Sequence, residues 1–318
     1  MGPKVPDNWE DLSQVEFCTS RAPLQGRSIK DSCKSLTITS IIRSRHNRGA
    51  QLVVVNNAMV AKIYDPLYYR YISEGGFKED VLWDADGDYC REAAAYAELQ
   101  KSSATLEVTP AWYGTYTIDI ETPKEASGQI KTYTRKVPLI LLEHIHGLTM
   151  ADIHPRALPI NIRSAILKKI IDAECVIAHA GVRHGDYFPR NIILSGIDLK
   201  DPNVTSEGVE IHLKVKVIDF NIAEVLTHSV YKYRREHLQL ETRFQLPSPV
   251  VRCYGQMENF HGWVSLQDAD HWLWRQFHDN GRYRPVIWNP SDPDTEPKYA
   301  DEFEDDNSST DSGISIEV

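Results

Sequence analysis

The side chains best suited to chemistry lie in the second half of the chain, in the run His184-Gly185-Asp186-Tyr187-Phe188-Pro189-Arg190-Asn191. An apolar segment follows this run and ends in Asp219-Phe220-Asn221. The carboxylate of Asp186 could accept a proton from an attacking hydroxyl group, while oxygens of Asn191 and Asp219 could hold Mg²⁺ beside phosphates. The order H-x-D-x-x-x-x-N, then D-F-x, is typical of phosphoryl transfer and predicts that the chain binds ATP and Mg²⁺.

The segments that must position these residues change character near residue 150. Before it, stretches rich in β-branched residues predict strands at 36–41, 51–55, 58–64, 111–120 and 137–142, with a polar loop over 122–131. Residues of high helix propensity predict one helix over 88–101. After it, apolar residues recur at helical spacing from Ile162 to Ile177, and Gly181 stands where a helix would end.

Two further patterns complete the second half. Residues 191–194 and 212–218 predict the strands of a hairpin, joined by an extended loop over about 196–210. A last helix is predicted over 265–277, where Ser265 and Asp268 resemble a capping box. We found no internal repeat.

In this order the segments resemble the protein kinase-like superfamily over roughly residues 36–290. The H-G-D-x-x-P-x-N pattern is similar to the catalytic loops of aminoglycoside, choline and lipopolysaccharide-core kinases, and the chain also resembles uncharacterised fungal kinase-like proteins. The resemblance implies an α+β, two-lobed fold. Its N-lobe, 36–144, would be an antiparallel sheet plus one helix, and its C-lobe, 145–290, would be reduced and mainly helical. Residues 1–35 would form a poorly ordered lead-in.

The resemblance also assigns roles to residues outside the two motifs. Lys62 matches the lysine that binds phosphates, and Glu92 matches the glutamate that pairs with it, in preference to Glu98 on another side of the helix. The hinge between lobes, whose backbone would bind adenine, is Glu143-His144-Ile145-His146, and Val60 and Ala61 would roof the adenine pocket. His184 is expected to brace its loop through hydrogen bonds. His144 and His146 lack a third metal ligand.

The chain departs from the family pattern at several positions. No G-x-G-x-x-G occurs; its place holds residues 43–50, with one glycine and the arginines Arg43, Arg45 and Arg48. Asn221 replaces the glycine of D-F-G and is expected to take its left-handed conformation. Gly185 replaces the arginine of H-R-D, which predicts no activation-loop phosphoswitch. Arg190 could supply the positive charge of an absent lysine, since Phe188 occupies the place of that lysine.

Charge is concentrated at the end of the chain. Residues 291–318 hold ten acidic residues and one basic residue, a net charge of −9, while the remaining 34 basic and 35 acidic residues leave −1. A nearly neutral folded part gives no reason to expect nucleic-acid binding. The acidic segment is predicted to be a disordered tail that could bind a partner.

No run is long enough to span a bilayer and no secretory signal is evident, so no membrane association is predicted. The five cysteines show no metal-binding spacing and their number is odd, which favours a reducing compartment, the cytoplasm or the nucleus.

Two functions remain open from the sequence. The first is an ATP- and Mg²⁺-dependent kinase that moves the γ-phosphate to a hydroxyl group of a protein or a small molecule. The short segment between Asp219 and the tail lacks an A-P-E motif and disfavours an extended peptide acceptor. The second is a nucleotide-binding pseudokinase or scaffold, suggested by the glycine-poor loop, Asn221 and the short C-lobe.

Overall fold

The computed structural model describes residues 15–19, 33–45, 49–126, 129–226, 245–292 and 294–301. The chain divides into two compact units. The first comprises the residues up to His146 together with His184–Asp186 and Ile218–Val225, and the second comprises the remainder. Within the described ranges there are six α-helices, and none is long and apolar enough to cross a lipid bilayer.

The first unit is built on a seven-stranded antiparallel sheet. In chain order its strands are β1 (Val15–Thr19), β2 (Cys33–Leu36), β3 (Ile38–Arg43), β4 (Gln51–Val55), β5 (Met59–Ile63), β6 (Trp112–Ala126) and β7 (Gln129–Glu143). Across the sheet they follow the order β2-β1-β6-β7-β5-β4-β3. The strands β3 to β7 correspond to the five predicted ones. By contrast, β1 and most of β2 lie in the lead-in, where no strand was predicted.

The strands β6 and β7 continue through the region predicted as a polar loop over 122–131, so that prediction was wrong. Their ladder pairs Thr122 with Tyr133 and extends to Ala126 opposite Gln129. Most side chains along this outer ribbon are exposed, including Ile130 at 76%. Because the ladder itself satisfies the backbone polar groups, a polar sequence can form strands there without a buried face.

The two faces of the sheet carry different kinds of side chain near β5. Alternate side chains of a strand point to opposite faces. Val53, Ala61 and Leu139 belong to a buried hydrophobic cluster on one face. Lys62, between two members of that cluster, projects from the other face, toward helix α1 (Val81–Leu99).

Helix α1 begins at Val81, whereas the sequence predicted a start at residue 88. The side chain of Asp80 accepts hydrogen bonds from the N–H groups of Leu82 and Trp83 and so caps the earlier start. A short helix, α2 (Ser103–Val108), follows α1 and was not predicted. The first unit also includes the short strand at Glu224–Val225, β12 in chain order.

The second unit is centred on helix α3 (Ile160–His179), whose apolar stripe is buried as predicted. Gly181 follows with φ of +78°, the left-handed conformation of a residue just past a helix end. Strands β8 (Leu148–Thr149), β10 (Ile192–Ser195) and β11 (Lys214–Val217) form a small antiparallel sheet, and β9 (Val182–Arg183) follows α3.

The β10–β11 pairing confirms the predicted hairpin. The loop between these strands was predicted to be extended, but it contains helix α4 (Ser206–His212). The side chain of Thr205 accepts from the N–H of Gly208 and caps this helix.

Helices α5 (Pro249–Cys253) and α6 (Ala269–Phe277) follow, then strands β13 (Val286–Ile287) and β14 (Lys298–Tyr299). The predicted capping box at Ser265 was wrong, because Ser265 makes no capping hydrogen bond and leads into a 3₁₀ turn before α6.

The predicted disorder of the tail was wrong for the residues up to Asp301. Strand β14 pairs with β13, and Tyr299 is buried. The guanidinium of Arg284, 4% exposed, pairs with Asp301 at 2.9 Å and stacks 3.5 Å above the Tyr299 ring centroid. Composition averaged over the segment hides these two residues, which contact a buried cation. Residues 302–318 lie outside the described ranges.

Candidate active site

Lys62 is the centre of a buried ion cluster in the first unit. Its Nζ lies 2.5 Å from Glu92 Oε2 and also contacts Asp219 Oδ1, although Asp219 comes 157 residues later in the chain. The side chains of Lys62 and Glu92 are buried, and that of Asp219 is 26% exposed. Glu98, the alternative partner, pairs with Lys101 at 2.6 Å instead. The structure therefore brings together three of the predicted site residues.

Two further groups, besides the Lys62 ammonium, donate hydrogen bonds to the carboxylate of Glu92. The hydroxyl of Tyr64 donates to Glu92 Oε2 at 2.7 Å, and the backbone N–H of Phe220 donates to Oε1 at 3.3 Å. Sequence reasoning missed Tyr64. A usable signal was its position two residues after Lys62, which places both side chains on the same face of the strand.

Burial and ion pairing act in opposite directions on the ionisation of this cluster. Burial disfavours the Asp219 anion, but the Lys62 ammonium outweighs it and holds the pKa of Asp219 below its usual value, with help from Arg43 and His184. Burial would lower the pKa of Lys62, yet the two carboxylates hold it above its usual value. Burial raises the pKa of Glu92 despite the nearby ammonium. At neutral pH Asp219 therefore presents an ionised oxygen, the type of ligand that Mg²⁺ prefers.

His184 connects the two motifs through both ring nitrogens. Its Nδ1 accepts from the backbone N–H of Asp186 at 3.2 Å, so Nε2 carries the proton and donates to the carbonyl of Ile218 at 2.9 Å. The imidazole also lies 4.5 Å from the Phe220 ring, centroid to centroid. His184 braces the segment as predicted.

The glycine between His184 and Asp186 is required by the backbone. Gly185 has φ of +78°, and a Cβ atom there would lie 2.8 Å from the carbonyl oxygen of Ile222. An L-amino acid with a side chain would be strained by its dihedral angle and by this contact. The arginine of H-R-D therefore cannot be accommodated here without a backbone shift.

In the D-F-N segment, the left-handed residue is not the predicted one. Asp219 has φ of +68°, whereas Asn221 does not have a positive φ. The expectation that Asn221 would take over the left-handed turn of a glycine was wrong. Its backbone and side chain are instead held by Arg91 and Asp88 on α1, at 2.6 and 3.3 Å.

In the segment predicted to form the hinge, two of the three backbone N–H groups expected near adenine donate to other backbone carbonyls. The N–H of Glu143 donates to Ala111 O at 2.8 Å and that of His144 to Ala58 O at 3.1 Å. Within the described residues, the N–H of Ile145 has no such backbone partner. Of these three hinge residues, Ile145 therefore retains the backbone donor that could face a ligand.

Val60 and Ala61 cannot both roof the same pocket, because adjacent residues of a strand point to opposite faces. Ala61 is fully buried in the hydrophobic cluster, on the face away from Lys62. This corrects its predicted role. Val60 shares the face of Lys62 and keeps the position expected for a roof residue.

Asn191 and Arg190 belong to the second unit. Asn191 is buried at the end of a 3₁₀ turn, and its N–H donates to Phe188 O at 2.9 Å. Arg190 is exposed, with its guanidinium carbon 4.3 Å from the Phe188 ring centroid. Their predicted roles, as metal ligand and source of positive charge, stay predictions. The described residues contain no cluster of three or more His, Cys, Asp or Glu side chains suited to a metal.

The segment in place of a glycine-rich loop is anchored at its ends. Gln51, fully buried, donates from Nε2 to Gly49 O at 2.7 Å and accepts from the N–H of Arg45 at 2.9 Å. Arg43 donates from Nη2 to Ala50 O at 3.3 Å. Residues 46–48, which include the third arginine, lie outside the described ranges.

Comparison with known proteins identifies only distant structural similarity. No protein-family model and no curated protein matches the sequence. Two structures of WbdD, which is described as a bifunctional kinase-methyltransferase, align over 76% of this chain at 12% identity with a TM-score of 0.40. A WbdD complex with a kinase inhibitor gives 0.38 at the same identity. The chain spans less than half the length of these proteins, 46 to 47%. Likeness this weak does not decide the fold or the function.

Proposed function

We propose that this protein is a kinase that transfers the γ-phosphoryl group of ATP to a hydroxyl acceptor. The observation that carries the proposal is the contact of one buried ammonium, Lys62, with two carboxylates far apart in the sequence, Glu92 and Asp219. The two compact units would correspond to the lobes expected from the sequence at 36–144 and 145–290, except that His184–Asp186 and Ile218–Val225 fall in the first unit.

The proposed roles follow from charge and position. Lys62 is kept cationic and buried, which suits a group that binds the phosphates of ATP. Glu92 and Tyr64 hold the Lys62 ammonium in place. The backbone N–H of Ile145 would donate to adenine, with Val60 above the ring.

Asp186 would orient the acceptor hydroxyl and take its proton. The hydroxyl oxygen forms a bond to the γ-phosphorus, the bond from that phosphorus to the β–γ bridging oxygen breaks, and ADP leaves. Asp186 is partly buried, and its backbone is fixed by His184. Arg190 would add positive charge to the phosphates.

The residues proposed from the sequence to hold Mg²⁺ carry oxygen atoms of the kind that this ion takes. Asp219 offers an ionised oxygen that is partly exposed, and Asn191 offers an amide oxygen, both ligands of the kind that Mg²⁺ takes. Bound Mg²⁺ would neutralise charge on the phosphates during transfer. The Lys62 ammonium contacts Oδ1 of Asp219. If the phosphates of ATP attract the ammonium, this oxygen would become available to Mg²⁺.

Transfer of label from γ-³²P-labelled ATP to a mixed pool of proteins and metabolites tests the proposal. The wild type should label at least one product, and Asp186→Asn should reduce turnover at least about a hundredfold, as expected on loss of a general base. Lys62→Met should also lose activity. The exposed pair of Arg70 and Glu74 offers a control, since Arg70→Met leaves the cluster intact. Equal turnover by wild type and Asp186→Asn would refute the proposed kinase activity.

A nucleotide-binding scaffold without catalysis is the second candidate. It is favoured by the ion pairs of Lys62 with Glu92 and Asp219, which give the buried ammonium two partners within the chain itself. A thermal-shift titration separates the candidates. At about 100 times its dissociation constant, Mg-ATP should stabilise the fold by about 2.7 kcal/mol. A shift without phosphoryl transfer supports the scaffold, and no shift at any Mg-ATP concentration refutes both.

A further inference from the structure

We propose that Asp88, Arg91 and Asn221 form a polar clamp that positions Asp219 for metal binding. The inference rests on the proposed function and adds positioning residues to it. The clamp joins two partly buried residues of helix α1, Asp88 and Arg91, to the residue two positions after Asp219. None of its three members touches ATP or metal in this proposal.

Each of the three members of the clamp is hydrogen-bonded to the other two. Arg91 donates from Nε to the carbonyl of Asn221 at 2.6 Å and from Nη2 to Asp88 Oδ1 at 2.8 Å. Asn221 donates from Nδ2 to Asp88 Oδ2 at 3.3 Å, and the Tyr69 hydroxyl donates to the same oxygen at 3.2 Å. Both the backbone and the side chain of Asn221 are thus held on α1.

Asp219 requires such support because its backbone is strained. With φ of +68°, this non-glycine residue adopts a conformation that persists only where neighbouring structure enforces it. The carbonyl before it, on Ile218, accepts from His184 at 2.9 Å. The N–H after it, on Phe220, donates to Glu92 at 3.3 Å. Arg91 holds a carbonyl further along the chain, on Asn221.

The identity of residue 221 matters for this arrangement. Asparagine supplies an amide donor opposite the carboxylate of Asp88, which glycine does not have. An aspartate at this position, of nearly the same shape, would place a second carboxylate 3.3 Å from the first and remove the donor. The substitution Asn221→Asp therefore removes the amide donor to Asp88 with almost no change in side-chain volume.

The clamp is expected to act locally. The side chain of Arg91 is 40% exposed and that of Asp88 is 17% exposed, so their ion pair contributes little to global stability. Its effect should be seen in the conformation of Asp219 and hence in metal affinity, with little change in melting temperature.

A charge-swap series tests the clamp. Asn221→Asp, Asp88→Asn and the double variant are compared with wild type by calorimetric titration of Mn²⁺ and Mg²⁺ into the ADP complex. Asn221→Asp should weaken metal affinity by about tenfold, a typical cost of losing a group that orients a metal ligand. In the double variant an amide on α1 again faces a carboxylate at position 221, so affinity should recover to within about threefold of wild type. Glu98→Gln, on the same helix but outside the clamp, should change nothing.

Hydrogen exchange in the nucleotide-free protein provides a second measurement. Amides of residues 218–223 should exchange faster in Asn221→Asp and return toward the wild-type rate in the double variant. Unchanged exchange and metal affinity in Asn221→Asp, or loss without rescue in the double variant, would overturn the clamp. If wild type binds neither ADP nor metal, the proposed function fails, while rescue of exchange still decides whether the clamp exists.

Discussion

The hydroxyl of Tyr64 donates to Glu92 Oε2, the same carboxylate oxygen that contacts the ammonium of Lys62. Both donors are buried, and Phe220 supplies a third donor from its backbone to the other oxygen. A buried carboxylate with these partners is held in one position, because any movement leaves a polar group unsatisfied. Tyr64 therefore helps to fix the carboxylate of Glu92 and, through it, the ammonium of Lys62.

Tyr64→Phe should destabilise the protein by about 1–3 kcal/mol, because it removes a donor from a buried carboxylate. Urea unfolding followed by tryptophan fluorescence measures the change. Tyr113→Phe is the matched control, since the Tyr113 side chain is 45% exposed. Equal unfolding midpoints for the two variants would show that the Tyr64 hydrogen bond is not significant.

Gly185→Ala should be more damaging than an alanine at another glycine of positive φ. Both Gly185 and Gly76 have φ near +80°, but only at Gly185 would a Cβ meet a backbone oxygen, at 2.8 Å. Gly76→Ala should lower the free energy of unfolding by about 1–2 kcal/mol, because of the backbone dihedral angle alone. Gly185→Ala should cost more and, under the proposed function, should also slow phosphoryl transfer. Thermal unfolding of both variants tests this, and a smaller loss at Gly185 would contradict it.

Two truncations should distinguish the contribution of residues 291–301 to stability from that of residues 302–318. A chain that ends at Pro290 loses Tyr299 and Asp301 and leaves the buried guanidinium of Arg284 without its partners, which should cost about 3–5 kcal/mol. A chain that ends at Asp301 keeps every described contact and should melt at the wild-type temperature. Scanning calorimetry checks both, and equal melting temperatures would show that β14 contributes nothing.

His179 should make stability depend on pH. Burial lowers its pKa below the usual 6.5, and its Nδ1 is buried with no hydrogen-bond partner among the described residues. As the pH falls below 6.5, the unfolded chain takes up the proton first, so this contribution to stability is present above 6.5 and is lost as the pH falls through the folded pKa. His179→Gln should flatten the dependence between about pH 7 and 5 in urea titrations. Parallel curves for both proteins would exclude this role.

Local patterns predicted the elements with a clear apolar signal. β5 was recognised as a short, mostly apolar run after the turn signal Asn56-Asn57, and α3 because its apolar residues recur at helical spacing. The outer ribbon of β6 and β7, helix α4 and strand β14 were missed. Each is stabilised by a pairing partner or a cap rather than by a periodic apolar face, so its own composition carries little signal.

The sequence by itself determined which chemical groups the chain carries and in what order: the Lys62 cation, the acids Glu92 and Asp219, and the H-x-D run between the last two. The period of a strand also places Lys62 and Ala61 on opposite faces, a constraint that the sequence-based assignment of Ala61 to the adenine pocket overlooked.

Only the tertiary structure decided which of these groups meet. Lys62 and Asp219 are 157 residues apart, and Asp88 and Asn221 are 133 apart. A local pattern specifies the face from which a side chain projects, but the segment that packs against that face depends on sheet order and long-range chain closure. For that reason the clamp on α1 could be identified only from the fold.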